Sequence, residues 1–371
     1  MKDMPALATV LVAVSVLAPV ASAQSPEPSA SPFAPIVSGI PTAEVGVPED
    51  IRTDGREFFV VPVRARGVFW IIDSELTERR KVTVQPPPGI AELSIRSVDR
   101  LGSKRLVASA SWGEENVSRS GLLFLNDEGV VESYSGYGFS VRSVVFGPTK
   151  EWIIASVQEP VDPKSDDLHR PTRNTVAEFT TAGKLIGMQS MNVGNIVTTF
   201  DEMFRTHRLR KVFVIRDSVL LTYPFTTSRV PFPSAYVLPG WAVETAAMRK
   251  AGIPRDYSRN WVATLAPRIA GDEEVRLKPV GIVPSVSEGK SGLLVAWLSA
   301  GPGDESRDTP HRDRGRPFLA RYDIEGEKPK SWVEIEDGTR IGELTSSPDG
   351  QAFAVTYRDM SKEWSISRVD F

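Results

Sequence analysis

An all-β chain folded as a β-propeller is what this sequence predicts, on three observations. A hairpin with a Gly- or Asp-bearing turn and an apolar second strand recurs six times. A second hairpin pattern follows the first within each repeat. The turns lie roughly 46 to 75 residues apart, the size of one small antiparallel sheet in a repeating array.

The first hairpin is clearest near the C-terminus, in Thr345-Ser-Ser-Pro-Asp-Gly-Gln-Ala-Phe-Ala-Val-Thr-Tyr357. Proline presets one turn dihedral, glycine takes the unusual one, and the alternating run beyond suits a half-buried strand. The same plan is read at Ile51–Val63, Ser97–Ser109, Val145–Ser156, Val212–Tyr223 and Val283–Trp297. The copy at 212–223 fits least well, having no glycine in its turn. With the four strands of a blade named a to d from the channel outward, these are the a–b hairpins.

The c–d pattern is a strand, a polar turn and another strand. It reads Val68–Glu75, Leu122–Gly129, Val176–Gly183 and Phe318–Gly326, with Trp261–Leu265 as the version for the fourth blade. The sixth copy stops after its third strand, at Trp364–Phe371. Its outermost strand is therefore expected from the N-terminal side, within Ile36–Glu44, which would close the ring and cover a sheet edge. Six blades result, with five or seven as the alternatives.

The Ser347-Pro-Asp-Gly350 turn and the strand after it resemble the hairpin of TolB-type and WD40-like propeller repeats. The Asn126-Asp-Glu-Gly129 turn resembles the c–d turn of NHL-type propellers. The resemblance implies a propeller over most of residues 48–371. It transfers no partners, because the Gly-His and Trp-Asp marks of true WD40 repeats are missing and such folds host many functions.

The N-terminus carries Lys2, an apolar run from Ala6 to Val20 and then Ala21-Ser-Ala23, the plan of a cleavable secretory signal over residues 1–23. That run is shorter than the about 20 residues a spanning helix needs. Residues 24–35, rich in proline and serine, read as a flexible tether, and 36–371 as the propeller. Cysteine is absent and the formal charge is −3, with both signs mixed along the chain. These features exclude disulfides, thiol chemistry and an acylated N-terminal cysteine, and leave no basic stripe for nucleic acid. The expectation is an exported, monomeric protein of the periplasm or extracellular space.

Function is expected on the b–c face. Three long b–c connections, about 158–174, 226–259 and 300–316, would sit there on neighbouring blades, the middle one partly helical. Candidate binding residues are Phe232, Tyr236 and Trp241 in the aromatic insertion, Asp166, His169 and Arg170 in the blade 3 loop, and His311 and Arg312 in the blade 5 loop. His207 precedes the inner strand of blade 4. Rigid aromatics favour recognition of a protein, peptide or glycan. No Gly-x-Ser-x-Gly elbow, His-Glu-x-x-His or phosphate loop is present, so no catalytic residue, cofactor or metal is assigned. An envelope hydrolase or lyase with carboxylates and histidine at the channel mouth is the alternative.

Overall fold

The computed structural model describes residues 31–63, 66–75, 78–114, 117–146, 152–160, 172–190, 211–215, 218–223, 234–238, 261–264, 276–300, 317–323, 329–335, 338–358 and 362–370. Within them, six four-stranded antiparallel sheets follow one another along the chain. After β1 (Phe33–Pro41) and a single helical turn, α1 (Thr42–Val45), the first sheet is β2 (Pro48–Thr53), β3 (Glu57–Pro62), β4 (Val68–Asp73) and β5 (Arg79–Thr83). The second holds β6 (Ile90–Arg100), β7 (Arg105–Glu114), β8 (Val117–Asn126) and β9 (Val131–Tyr137). The third holds β10 (Ser140–Phe146), β11 (Trp152–Pro160), β12 (Thr172–Thr180) and β13 (Leu185–Ser190).

The fourth sheet is β14 (Lys211–Ile215), β15 (Ser218–Tyr223), β16 (Ser234–Leu238) and β17 (Trp261–Thr264). The fifth is β18 (Arg276–Ser287), β19 (Lys290–Ala300), β20 (Pro317–Asp323) and β21 (Pro329–Glu334). The last combines β22 (Thr339–Ser346), β23 (Ala352–Arg358) and β24 (Glu363–Val369) with β1, which pairs antiparallel to β24 from Phe33 against Val369 to Pro41 against Glu363. The strand that completes this sheet thus begins three residues before the stretch expected for it, inside the segment read as tether.

Sheets of this kind, packed face to face, are the blades of a β-propeller. Their first strands are the inner ones: β2 lies beside β6, β6 beside β10, β10 beside β14, β14 beside β18, β18 beside β22, and β22 beside β2. The core is laid down between sheets, which explains why the second strands are apolar in long runs instead of alternating. In β3, Phe58 and Val60 pack with Val37, Ile40 and Phe353 of the last sheet, while Phe59 and Val61 pack with Val98 and Leu106 of the second. Both faces of the strand are covered, so neither can be polar.

All six a–b hairpins lie where the sequence places them. The Pro-Asp-Gly turn also fastens two sheets: Gly350 takes φ +90°, its carbonyl accepts from the Val286 amide at 2.8 Å, and an added Cβ would meet Val286 Cγ2 at 2.3 Å. Only glycine fits both the left-handed dihedral and that approach.

The fourth sheet differs from expectation. Trp261–Thr264 is its fourth strand, and the third is Ser234–Leu238, whose Tyr236 pairs with Leu221 on one side and Val262 on the other. The stretch read as one insertion therefore contains a strand. Its aromatic and β-branched residues form a pleated segment despite the flanking prolines. The connections 224–233 and 239–260 on either side of it lie outside the described residues. The helical part expected within 226–259 lies outside the described residues. No helix among the described residues is long and apolar enough to cross a membrane.

Candidate functional site

Period-two alternation in the inner strand β2 turns Ile51 into the sheet-to-sheet core and turns Asp50 and Arg52 together toward the channel. The Arg52 guanidinium reaches across it. It donates to Asp50 Oδ2 at 3.3 Å, to the Val212 carbonyl of β14 at 2.6 Å and to Ser143 Oγ of β10, and it lies over the Phe213 ring at 4.9 Å. Lys211, also from β14, places Nζ 2.9 Å from Asp50 Oδ1 and 3.0 Å from Glu343 Oε1 of β22.

Four sheets are tied together at one level of the channel. The side chains of Asp50, Arg52, Lys211 and Glu343 are only 7%, 4%, 6% and 11% exposed, so water is largely excluded among them. Burial would raise the Asp50 carboxyl, but the charges of Lys211 and Arg52, helped by the Ser97 hydroxyl, overcome it and bring it down to about 2. Glu343, also buried, is pushed up, because Lys211 only partly offsets its desolvation and Asp50 repels it.

On the face of the a–b turns, a cavity of about 960 Å³ opens between Arg52, the turn 54–57, the turn 99–103, Asp127, the ends of β10 and β14, and Ser346. It falls at the upper end of the range for small-molecule sites, about 300–1,000 Å³. Arg100 stands in its wall over the Phe59 ring at 5.2 Å. Its guanidinium faces three carboxylates: Asp127 Oδ1 at 2.6 Å, Asp54 Oδ2 at 3.8 Å, and Glu57. Asp99 is buried beside it, accepting from the amides of Phe146 at 2.8 Å and Arg100 at 2.9 Å. Burial pushes its carboxyl up to about 6 despite those two bonds and the Arg52 charge, with Asp54 adding to the rise.

Folding therefore raises the proton affinity of Asp99. The stability it contributes is complete below the ordinary value of 3.8 and is lost as pH rises through about 6. Urea denaturation across pH 4–7 is expected to show Asp99→Asn removing up to about 3 kcal/mol of pH dependence, since each tenfold change in proton affinity is worth about 1.4 kcal/mol. A profile unchanged by the substitution would contradict a raised Asp99.

Asp166, His169, Arg170, His207, Phe232, Trp241, His311 and Arg312 fall outside the described residues, and of Tyr236 only the backbone pairing is described. The cavity opens on the face of the a–b turns, and its described wall contains none of these residues. Asp54 and Asp127 read in the sequence as turn formers only. The signal that could have found the site is charge inside strands meant for burial: Asp50, Arg52, Asp99, Lys211 and Glu343 all sit in first strands, where unpaired charge is costly.

No family model matches the sequence, and no curated protein is significantly similar to it. Among solved structures, a neuraminidase-like protein from A/bat/Guatemala/164/2009 aligns at 8% identity and TM-score 0.48, covering 93% of each chain. The soluble aldose sugar dehydrogenase of Escherichia coli aligns at 11% identity and TM-score 0.45, over 91% of this chain and 98% of its own. The β-propeller domain of the trilobed protease from Pyrococcus furiosus aligns at 12% identity and TM-score 0.38, over 83% and 78%. At such identities and scores, what those proteins bind or catalyse is not carried over.

Proposed function

We propose that the chain is an exported binding protein. In this reading its six sheets are the blades of one closed ring of the TolB-like or NHL-like kind, and its ligand enters the channel mouth on the a–b face. The observation that carries it is the cavity of about 960 Å³, reached by Arg52 of the buried ionic cluster and walled by charged groups. Export is supported by the N-terminal Lys2, apolar run and Ala21-Ser-Ala23. The partner is a small molecule, or the protruding group of an envelope protein, peptide or glycan.

A hydrolase or lyase site is the second reading, favoured by Asp99, whose carboxyl is poised near neutrality inside a cavity. Against it, the three other carboxylates of the cavity wall are engaged by Arg100.

Gly102→Trp tests the site. An added Cβ there meets nothing within 4 Å, so a side chain can be introduced at this lining position without a clash at its first atom. A thermal-shift screen of small molecules is expected to yield ligands that raise the melting temperature of the native chain and not of the variant. Ligands that stabilise both equally would place the site elsewhere.

A further inference from the structure

We propose that Asp99 is a pH-sensitive latch between the second and third sheets, closed in acid and loosened as the pH rises toward neutral. The latch governs how one wall of the cavity holds together, whatever the cavity takes.

β6 and β10 are neighbouring inner strands of different sheets, so no main-chain ladder joins them. Side chains join them instead. Ser97 Oγ accepts from the Val144 amide at 3.4 Å, and Asp99 Oδ2, two residues on, accepts from the Phe146 amide at 2.8 Å. Ser109 Oγ of β7 donates to the Arg142 carbonyl at 3.0 Å. At the next junction Ser143 Oγ accepts from the Val212 amide at 3.2 Å. Three of these four rungs are hydroxyls, whose charge no ordinary pH alters. The fourth and shortest is a carboxylate.

Asp99 is buried and lines the cavity together with Phe146. Its other oxygen, Oδ1, accepts from the Arg100 amide at 2.9 Å. The cations around it are committed to other carboxylates: Arg52 to Asp50, Arg100 to Asp54, Glu57 and Asp127, and Lys211 to Asp50 and Glu343. Arg52 still acts on Asp99 through charge, and Asp54 repels it.

Ionisation strengthens the bond to Phe146, but it also puts a charge where water is excluded. The second effect is larger, since the carboxyl is pushed up to about 6. An opening between β6 and β10 that lets water reach Asp99 returns it toward the ordinary value of 3.8. Such an opening releases a proton. It is therefore held shut below 3.8, becomes more frequent as the pH rises to about 6, and changes no further above that.

Native-state hydrogen exchange of the full chain tests this, followed by NMR at the Val144 and Phe146 amides from about pH 4 to 7 and corrected for the intrinsic rate of amide exchange. Both amides are expected to open about tenfold more often per pH unit up to about pH 6, roughly a hundredfold in all, and then to level off. They should exchange faster than the amides of β19, which marks a local opening and not global unfolding. Asp99→Asn, which cannot ionise, should give a flat profile. Asp54→Asn should move the levelling point to lower pH, because Asp54 adds to the rise, and it serves as the test if Asp99→Asn fails to fold. A flat native profile, a rise that Asp99→Asn shares, a levelling point that Asp54→Asn leaves in place, or exchange no faster than in β19 overturns the proposal.

Discussion

A chain lacking β1, starting at residue 42, is expected not to fold to a soluble monomer. The strand buries Phe33 between the fifth and last sheets, and Val37 and Ile40 between the last and first. Each such side chain contributes about 1.5–3 kcal/mol. Losing all three removes roughly 5–9 kcal/mol, comparable with the whole stability of a domain, about 5–15 kcal/mol. Truncation also bares the hydrogen-bonding edge of β24, which β1 covers along its length, and an open edge invites pairing with other chains. Size exclusion and circular dichroism of the truncated chain should show aggregate. A synthetic peptide of residues 31–41, added during refolding, should restore a monomer-sized complex. A truncated chain that melts cooperatively at the native temperature would show that the last sheet does not depend on β1.

In the buried ionic cluster, Lys211→Met should lower the unfolding free energy by about 3–5 kcal/mol, the cost of leaving buried charges without a partner. Asp50 and Glu343 share one ammonium, and without it two buried carboxylates face a single guanidinium already committed to Asp50. Burial already pushes the Glu343 carboxyl up, so uptake of a proton by it limits the loss. The double variant Lys211→Met/Glu343→Gln should for the same reason recover more than half of it. Denaturant unfolding followed by tryptophan fluorescence measures both. A loss below about 1 kcal/mol, the range of exposed pairs, would mean that water reaches the cluster.

The two effects have different origins. Removing β1 costs apolar burial and pairing at the outer rim. Removing Lys211 costs electrostatic compensation at the axis, where four sheets meet. Changes on the cavity wall are expected to be milder, because Asp54, Glu57 and Asp127 keep contact with water.

The repeats are legible because their chemistry is local. Gly350, Gly55, Gly129 and Gly183 take left-handed dihedrals at the turns where the sequence places tight hairpins, and the apolar second strands follow directly. The last sheet takes its outer strand from the N-terminal side, β1 pairing with β24 from Phe33 to Pro41. The fourth sheet resists such reading because its third strand, Ser234–Leu238, follows a proline-rich stretch and carries no turn signal of its own. Its pairing with Leu221 and Val262 is a long-range choice that neighbouring residues do not encode.

Turn residues, strand periodicity and apolar runs act within a few residues of one another, so the blade repeat can be read from the chain alone. The meeting of the charges cannot. Asp50 and Arg52, Lys211, and Glu343 come from three strands far apart in the chain, and nothing in their spacing says that they converge. The same holds for Arg100, whose carboxylate partners Asp54, Glu57 and Asp127 lie 27 or more residues away on two different sheets. Electrostatic pairing depends on distance in space, and only the folded array of sheets brings together residues that the chain keeps apart.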